Sequence, residues 1–408
     1  MPSDKIIELL GTWEGCRVGT VQRFAAGQKG PTAQVWVDLI REPGPLVCSG
    51  CGRTCDKYHD WSDRWVRDLP LLDAETHLCV QRFRVRCPVC GPKVEHLPWL
   101  AKWSRVTRRF AESVARLCKV LPIKHVAEYY RLSWDTVKAI DKEWLTEHVT
   151  LPDLSNLTQL AMDEFAIKRG HRYATIFVEP QLKQVLWVCR GRKREDIRPF
   201  FKMLGKAGRE RLEAVAMDMN PAYEEEVKAQ CRNAKIVYDL FHVVAKFGRE
   251  VIDKVRTAEA KKQTNRGERQ LIKGSRWLLL RNARGLKRKD RVKLSELLSA
   301  NRRLWTVYVL KDDLKSLWDY CYRGAAMKFW KSWYNRAIRS RIEPLKQFAR
   351  RLHKKLDGIL SHCRYPLHTS LLEGINNKIK VIKRMAYGFR DEDYFFLKIR
   401  NAFPGNTG

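Results

Sequence analysis

Two C-x2-C knuckles, Cys48-Ser49-Gly50-Cys51 and Cys87-Pro88-Val89-Cys90, limit what the N-terminal quarter of this chain can fold into. Each pair can place two thiolates on one ion, and the two pairs together complete a tetrahedral four-thiolate site. The 35 residues between them exceed the usual zinc-ribbon gap. They hold two strand-like runs, residues 65–69 and 77–86, so the expected module is a β-hairpin crossed by one Zn2+ on Cys48, Cys51, Cys87 and Cys90. Four protein ligands leave no open position, which makes such a site structural. Cys55, His59 and Cys79 are rival ligands. Arg82, Arg84 and Arg86 alternate along the second run, either as a DNA-facing side or as a solvated strand face. The other cysteines among the twelve are scattered, which excludes a disulfide scaffold and implies a reducing, cytosolic setting. Before the knuckles, residues 35–40 read as a strand ended by Pro43-Gly44-Pro45, and nothing there suggests catalysis.

Residues 105–148 read as three helices. Apolar residues recur at helical spacing over 106–118, a short helix covers 122–130, and Ser133 is a good N-cap for a third from Trp134 to Leu145. Short helix, tight turn and capped helix make a helix-turn-helix, with a plain helical hairpin as the alternative. In a helix-turn-helix the N-terminal residues of the second helix enter the major groove. Here these are Trp134, Asp135, Thr136 and Lys138.

Beyond residue 150 the pattern changes to short β-rich runs. Leu160 and Ala161 open a strand that carries Asp163 and Glu164. Runs at 173–178 and 184–188 follow after polar turns, as in an antiparallel meander. A carboxylate on such a strand is costly unless it meets a cation, so Asp163 is a candidate metal ligand. Glu164 is its rival, because neighbouring strand side chains point to opposite faces. A further strand runs from Leu212 to Asp218, and Pro221 suits the first position of the helix after it. Asp218 could cap that helix, but Asn220 could do so instead. Glu373 lies in the helical stretch 370–380, where Ser370-x-x-Glu373 also fits a capping box. Glu343 is the fallback. Two strand aspartates and one helix glutamate can meet at a sheet edge and hold two divalent ions roughly 3.5–4 Å apart.

The order Asp163, Asp218, Glu373 resembles the DDE transposases with an RNase H-like core. From about Val47 to the C-terminus the layout is similar to the bacterial insertion-sequence transposases of the ISL-three type. That type carries a four-cysteine zinc module, a helix-turn-helix and then the DDE domain. The resemblance implies Mg2+ (or Mn2+) on Asp163, Asp218 and Glu373, two ions in all, and strand cleavage followed by strand transfer. In the broader group a lysine often stands seven residues after the glutamate, and Lys380 stands there. Pro366 and Thr369 occupy the places where some related families have Tyr and Arg. Asp239-x-x-His242 resembles a pattern found in this family after the fifth strand, residues 234–239, and ranks below the triad as a supporting or DNA-contacting pair.

The expected fold is therefore multidomain α+β. It comprises a zinc β-module (1–100), a helix-turn-helix (101–150), an RNase H-like α/β core (151–246 and 342–408) and a basic helical insertion (247–341). Arg192 and Lys193 lie in a basic loop, and Lys287 and Arg288 in the densest charge run. Each pair either touches phosphate or is solvated. Tryptophans dispersed through the insertion either pack its interior or stack on unpaired bases. A net charge of +33 spread over 408 residues points to a polyanionic partner, most simply nucleic acid. With 44% hydrophobic residues and 16 prolines the chain is globular. No apolar run approaches the roughly 20 residues of a spanning helix, and the N-terminus lacks a signal peptide's apolar core.

The function these features imply is a DNA transposase acting on terminal inverted repeats and target DNA. Two ends joined to one target imply a homodimer or larger assembly. The expected location is the bacterial cytoplasm, on the nucleoid. Two other readings stay open on the residues alone. One is a DNA-binding regulator with an inactive core, and the other is an RNase H-like nuclease without strand transfer.

Overall fold

The structure is a computed structural model and describes residues 13–100, 105–168, 170, 172–281, 285–367 and 370–405. The chain divides into two compact units, Met1–Val149 and Thr150–Gly408. Among the described residues no helix is long and apolar enough to cross a membrane.

The first unit is built on a sheet of β1 (Cys16–Phe24), β2 (Gln34–Arg41), β5 (Tyr58–Leu71), β6 (Ala74–Cys87) and β7 (Gly91–Val94), in the order β1-β2-β6-β5, with β7 also on β6. The pair β3 (Leu46–Val47) and β4 (Thr54–Cys55) stands beside it. The hairpin β5–β6 is longer than the sequence suggests, and β1 is a strand the sequence did not announce. Val35, Val37, Leu39, Val66, Leu78 and Val80 alternate inward to form the core under the sheet. Arg82 is buried too and donates to the Glu95 carbonyl, whereas Arg84 and Arg86 are exposed, so the three arginines do not form one solvent face.

Among the described residues three helices complete this unit, α1 (Arg108–Leu117), α2 (Ile123–Tyr130) and α3 (Trp134–His148). Arg131 takes the left-handed conformation that ends α2, at φ +52°. The Ser133 hydroxyl then accepts from the Thr136 N–H and starts α3. Phe110, Val114, Val126, Val137 and Ile140 form their common core. Asp68 of β5, fully buried, accepts from Trp13 Nε1, Thr107 Oγ1 and the Arg109 guanidinium, which ties α1 to the sheet.

The second unit has a sheet of β8 (Gln159–Lys168), β9 (Arg172–Glu179), β10 (Gln184–Arg190), β11 (Ala214–Met217) and β12 (Lys235–Tyr238), in the order β10-β9-β8-β11-β12. The first three form the expected antiparallel meander. β11 and β12 are parallel to β8, which requires the crossover helices. These are α4 (Arg194–Met203), α5 (Gly205–Arg211) and α6 (Pro221–Gln230), and α7 (Leu240–Phe247) follows β12. α4 begins at Arg194. Asp196 accepts from the Lys193 N–H, so the acid works from inside the first turn and does not open the helix.

Further helices are α8 (Asp253–Lys262), α9 (Arg266–Gly274), α10 (Arg276–Leu280), α11 (Arg288–Ala300), α12 (Arg302–Ser316), α13 (Arg323–Arg339), α14 (Glu343–His353), α15 (Leu356–Leu360), α16 (Ser370–Met385) and α17 (Glu392–Ala402). A single hydrophobic cluster runs from Leu157 and Phe200 at the sheet through Phe247 and Leu314 to Trp333 and Leu360. Trp330 and Trp333 are interior and stacked 5.1 Å apart, while Trp277 and Trp305 are exposed. Residues 282–284 of the densest basic run, and the Ser370 side chain of the capping box, lie outside the described residues.

Glu226 of α6 is fully buried and accepts from Arg194 and Arg198 of α4. Hydrogen bonds from Arg198 hold its carboxyl down to about 2, against the opposing effect of burial. Stability from a depressed carboxyl is present above its unfolded value and lost as pH falls through the folded one. Glu226→Gln should therefore melt below wild type at neutral pH, and the gap should close as pH falls from about 4.5 to about 2. Melting temperature against pH for both proteins checks this.

Candidate active site

Three strands carry the same pattern of apolar residues followed by an aspartate: Leu160-Ala161-Met162-Asp163 in the middle of β8, Val215-Ala216-Met217-Asp218 at the end of β11 and Ile236-Val237-Tyr238-Asp239 at the end of β12. The register makes this repeat spatial. Ala216 pairs with Ala161 and Met217 with Tyr238 in parallel ladders. Continuing each ladder by a residue or two puts Asp163, Asp218 and Asp239 side by side on neighbouring strands about 4.8 Å apart. Asp218 lies just past its strand, at the carboxyl ends where open α/β sheets place their ligands. Asn220 accepts from the Ala222 N–H and caps α6, so Asp218 is not needed as the cap, although it accepts from the Asn220 N–H at 3.0 Å.

Asp163 and Glu164 separate as strand alternation requires. Asp163 is buried and turns towards α16, where Asn376 Nδ2 donates to its Oδ2 at 2.7 Å. Glu164 accepts both contacts of Arg192 at 3.1 Å, and Arg192 lies 4.2 Å from the Tyr173 ring centre. Asp239, also buried, caps α7 through the Phe241 N–H at 2.7 Å, and its other oxygen meets His242 Nδ1 at 2.8 Å. Glu373 is exposed on α16, one helical turn before Asn376. Asp163, Asp239, His242, Glu373, Asn376 and Lys380 line one cleft, while Glu164, Arg192, Lys193 and Asp218 line a neighbouring one.

The acids strain one another electrically. Burial pushes the Asp163 carboxyl up to about 6, Asp218 and Asp239 add to the rise, and His242 opposes it. Burial also raises Asp218, with the Glu164 and Asp239 carboxylates adding and His242 opposing. The hydrogen bond to Asp239 raises His242. Buried carboxylates in this state suit a hard cation. Asn376 Oδ1, buried beside Asp163 with no hydrogen-bond partner, adds a neutral oxygen of the same kind.

In the first unit the four knuckle sulfurs lie within 4.8 Å of one another, with Cys51 Sγ 3.6 Å from Cys87 Sγ. Thiolates about one tetrahedral Zn2+ would stand about 3.8 Å apart. The Gly50 N–H points at Cys48 Sγ and the Cys90 N–H at Cys87 Sγ, each at 3.4 Å. The Cys90 and Val89 N–H groups bring the Cys87 thiol down to about 6. A Cβ on Gly50 would meet Cys90 Sγ at 3.2 Å, so a side chain here would crowd the sulfurs. The donor set and its spacing fit a structural zinc.

The other sequence candidates are surface residues. Trp134 is exposed at the start of α3 with Lys138 Nζ 5.6 Å from its ring centre, and the Thr136 hydroxyl bonds to Ser133 Oγ at 2.7 Å. Lys287 is the residue before α11 and Arg288 its first, both exposed. Lys380 is exposed and donates to Asn377. Sequence reasoning missed Asn376 and the alignment of Asp239 beside Asp218, although the repeated apolar-then-Asp pattern was there to find the latter.

Residues 160–399 match the transposase family of the DDE, ISL3 type, and residues 95–145 match the helix-turn-helix domain of transposase family ISL3. The chain is 48% identical over 411 residues, 99% of both chains, to the transposase for insertion sequence element IS1001 of Bordetella parapertussis. It is 28% identical over 380 residues, 85% of this chain and 84% of the relative, to the transposase for insertion sequence element IS1557 of Mycobacterium tuberculosis. A family match over more than half of the residues, joined to a full-length likeness at this level, means that the chain belongs to the ISL3-type DDE transposases, enzymes of insertion-sequence elements.

Proposed function

We propose that the second unit is an RNase H-like core in which Asp163, Asp218 and Glu373 hold two Mg2+ (or Mn2+) ions. Bound there, the ions would activate the attacking hydroxyl and stabilise the leaving oxygen of an in-line phosphodiester displacement. The observation that carries this reading is the row of aspartates in register on three adjacent parallel strands, faced by the helix that bears Glu373. Asp239 positions His242, and Asn376 positions Asp163, through the hydrogen bonds described above. Arg192, Lys193, Lys287, Arg288 and Lys380 supply positive charge for the phosphate backbone.

In the first unit Cys48, Cys51, Cys87 and Cys90 hold one structural Zn2+. Trp134, Thr136 and Lys138 read the terminal inverted repeats from α3, Thr136 through its methyl group because its hydroxyl serves the cap. The enzyme cuts at each end and joins the 3′-hydroxyl to target DNA, working as a homodimer.

The test is strand cleavage of a fragment carrying the gene's own flanking DNA, with and without Mg2+. Glu373→Gln is expected to abolish cleavage, and normal cutting by it would remove Glu373 from the metal site. Asp239→Asn is expected to slow cleavage about 10- to 100-fold, as for a group that orients another. A loss as complete as that of Glu373→Gln would make Asp239 a ligand.

A further inference from the structure

One face of α16 carries a ridge that leads away from the acids. Glu373, Asn377, Lys380 and Arg384 are exposed at steps of four, three and four residues, which keeps them on one side of a helix. The opposite side is fixed. Leu372, Ile375 and Ile379 are buried, Asn376 bonds Asp163, and Lys383 Nζ donates to the Ala166 carbonyl at 2.9 Å. The helix thus lies along β8 with its charged ridge outward.

The ridge ends on Tyr387, three residues past Arg384. The turn there is closed by the Gly388 N–H on the Lys383 carbonyl at 2.9 Å and the Tyr387 N–H on the Arg384 carbonyl at 3.0 Å. Phe389, just beyond it, is buried and stacks on Phe395 with ring centres 4.4 Å apart. Within this fixed turn Tyr387 has φ +51° and is 94% exposed. Left-handed backbone disfavours a bulky side chain, and Gly or Asn is the usual residue there. An aromatic ring in water gains no packing in return. Stability alone does not select tyrosine at this position, whereas a ring held out just past two exposed cations, Lys380 and Arg384, suits a base-stacking platform.

We propose that the DNA strand running from the acidic site follows this ridge, with Lys380 and Arg384 against its phosphates and the Tyr387 ring stacked on an unpaired base. Helical rise at 1.5 Å per residue carries the ridge about 18 Å from Glu373 to Met385, and Tyr387 stands two residues beyond. At 3.4 Å per nucleotide the stacked base lies about five to seven nucleotides from the cleaved bond. This distance rests on the Glu373 reading above.

The experiment uses the full chain and a fragment of the element's own end with 2-aminopurine at successive positions. Wild type should change the fluorescence at about the sixth nucleotide, where unpairing brightens the base and stacking on the ring quenches it. Tyr387→Ala and Tyr387→Asn should lose that signal and cut roughly five- to 150-fold more slowly. Tyr387→Phe should restore both. Tyr387→Asn should hold or raise the melting temperature, because asparagine accepts left-handed backbone, and a merely structural tyrosine could not give that result. The proposal is overturned if no position responds or if Tyr387→Asn cuts like wild type. It is also overturned if the variant loses self-association while the base signal persists, since the ring would then face protein. Asp218→Asn serves as the control. If it still cuts, the acid-site reading fails; if it is inactive while Tyr387→Ala is normal, only the ridge proposal fails.

Discussion

An Asp218→Asn protein is expected to bind the element's ends as wild type does and to cut them at least roughly 10³-fold more slowly. The change keeps the side chain's shape and removes one negative charge. Helix α6 should start unchanged, because Asn220 caps it and Pro221 holds its first position. The melting temperature should hold or rise, since burial and the Glu164 and Asp239 carboxylates already penalise a charge on Asp218. Strand cleavage, end binding and thermal melts on one preparation separate the outcomes. Loss of binding together with cleavage would make the acid structural, and cleavage at the wild-type rate would remove it from the site.

A Cys87→Ser protein is expected to lose the fold of its zinc module and with it end binding. Structural zinc contributes apparent free energy on the order of 10–16 kcal/mol, as much as the whole stability of a typical domain at about 5–15 kcal/mol. Cys87 is buried, with Cys51 Sγ at 3.6 Å and the Cys90 N–H on its sulfur. A serine oxygen there is a poor substitute for thiolate. Zinc content, limited proteolysis and end binding check the result. The second unit has a separate core and should keep its own melting transition. A soluble, zinc-free Cys87→Ser protein that binds ends fully would overturn the structural role.

The signals legible in the sequence were those written by local chemistry. Cysteine spacing, the Ser133 cap and the Asn220-Pro221 helix start each depend on a few adjacent residues, and each stands where expected. The meander was legible because its apolar runs are separated by short turns. The alignment of Asp239 with Asp163 and Asp218 was not, because parallel register relates residues about 20 and about 55 positions apart and no local property reports it. Asn376 was hidden for the same reason, since its partner Asp163 lies 213 residues away. Arg82 misled because alternation places residues on a face without saying which positions on it the rest of the chain buries.

The continuous hydrophobic cluster of the second unit decides how such a gene can be shortened. Helices between residues 247 and 341 share their interior with the sheet that carries the aspartates. Removing them would strip the cover from Phe348 and Leu360 and expose a broad apolar surface. A miniature transposase for laboratory use therefore cannot be made by excising this segment. Any trimming has to begin at outer positions such as Trp277 and Trp305, whose rings already face solvent.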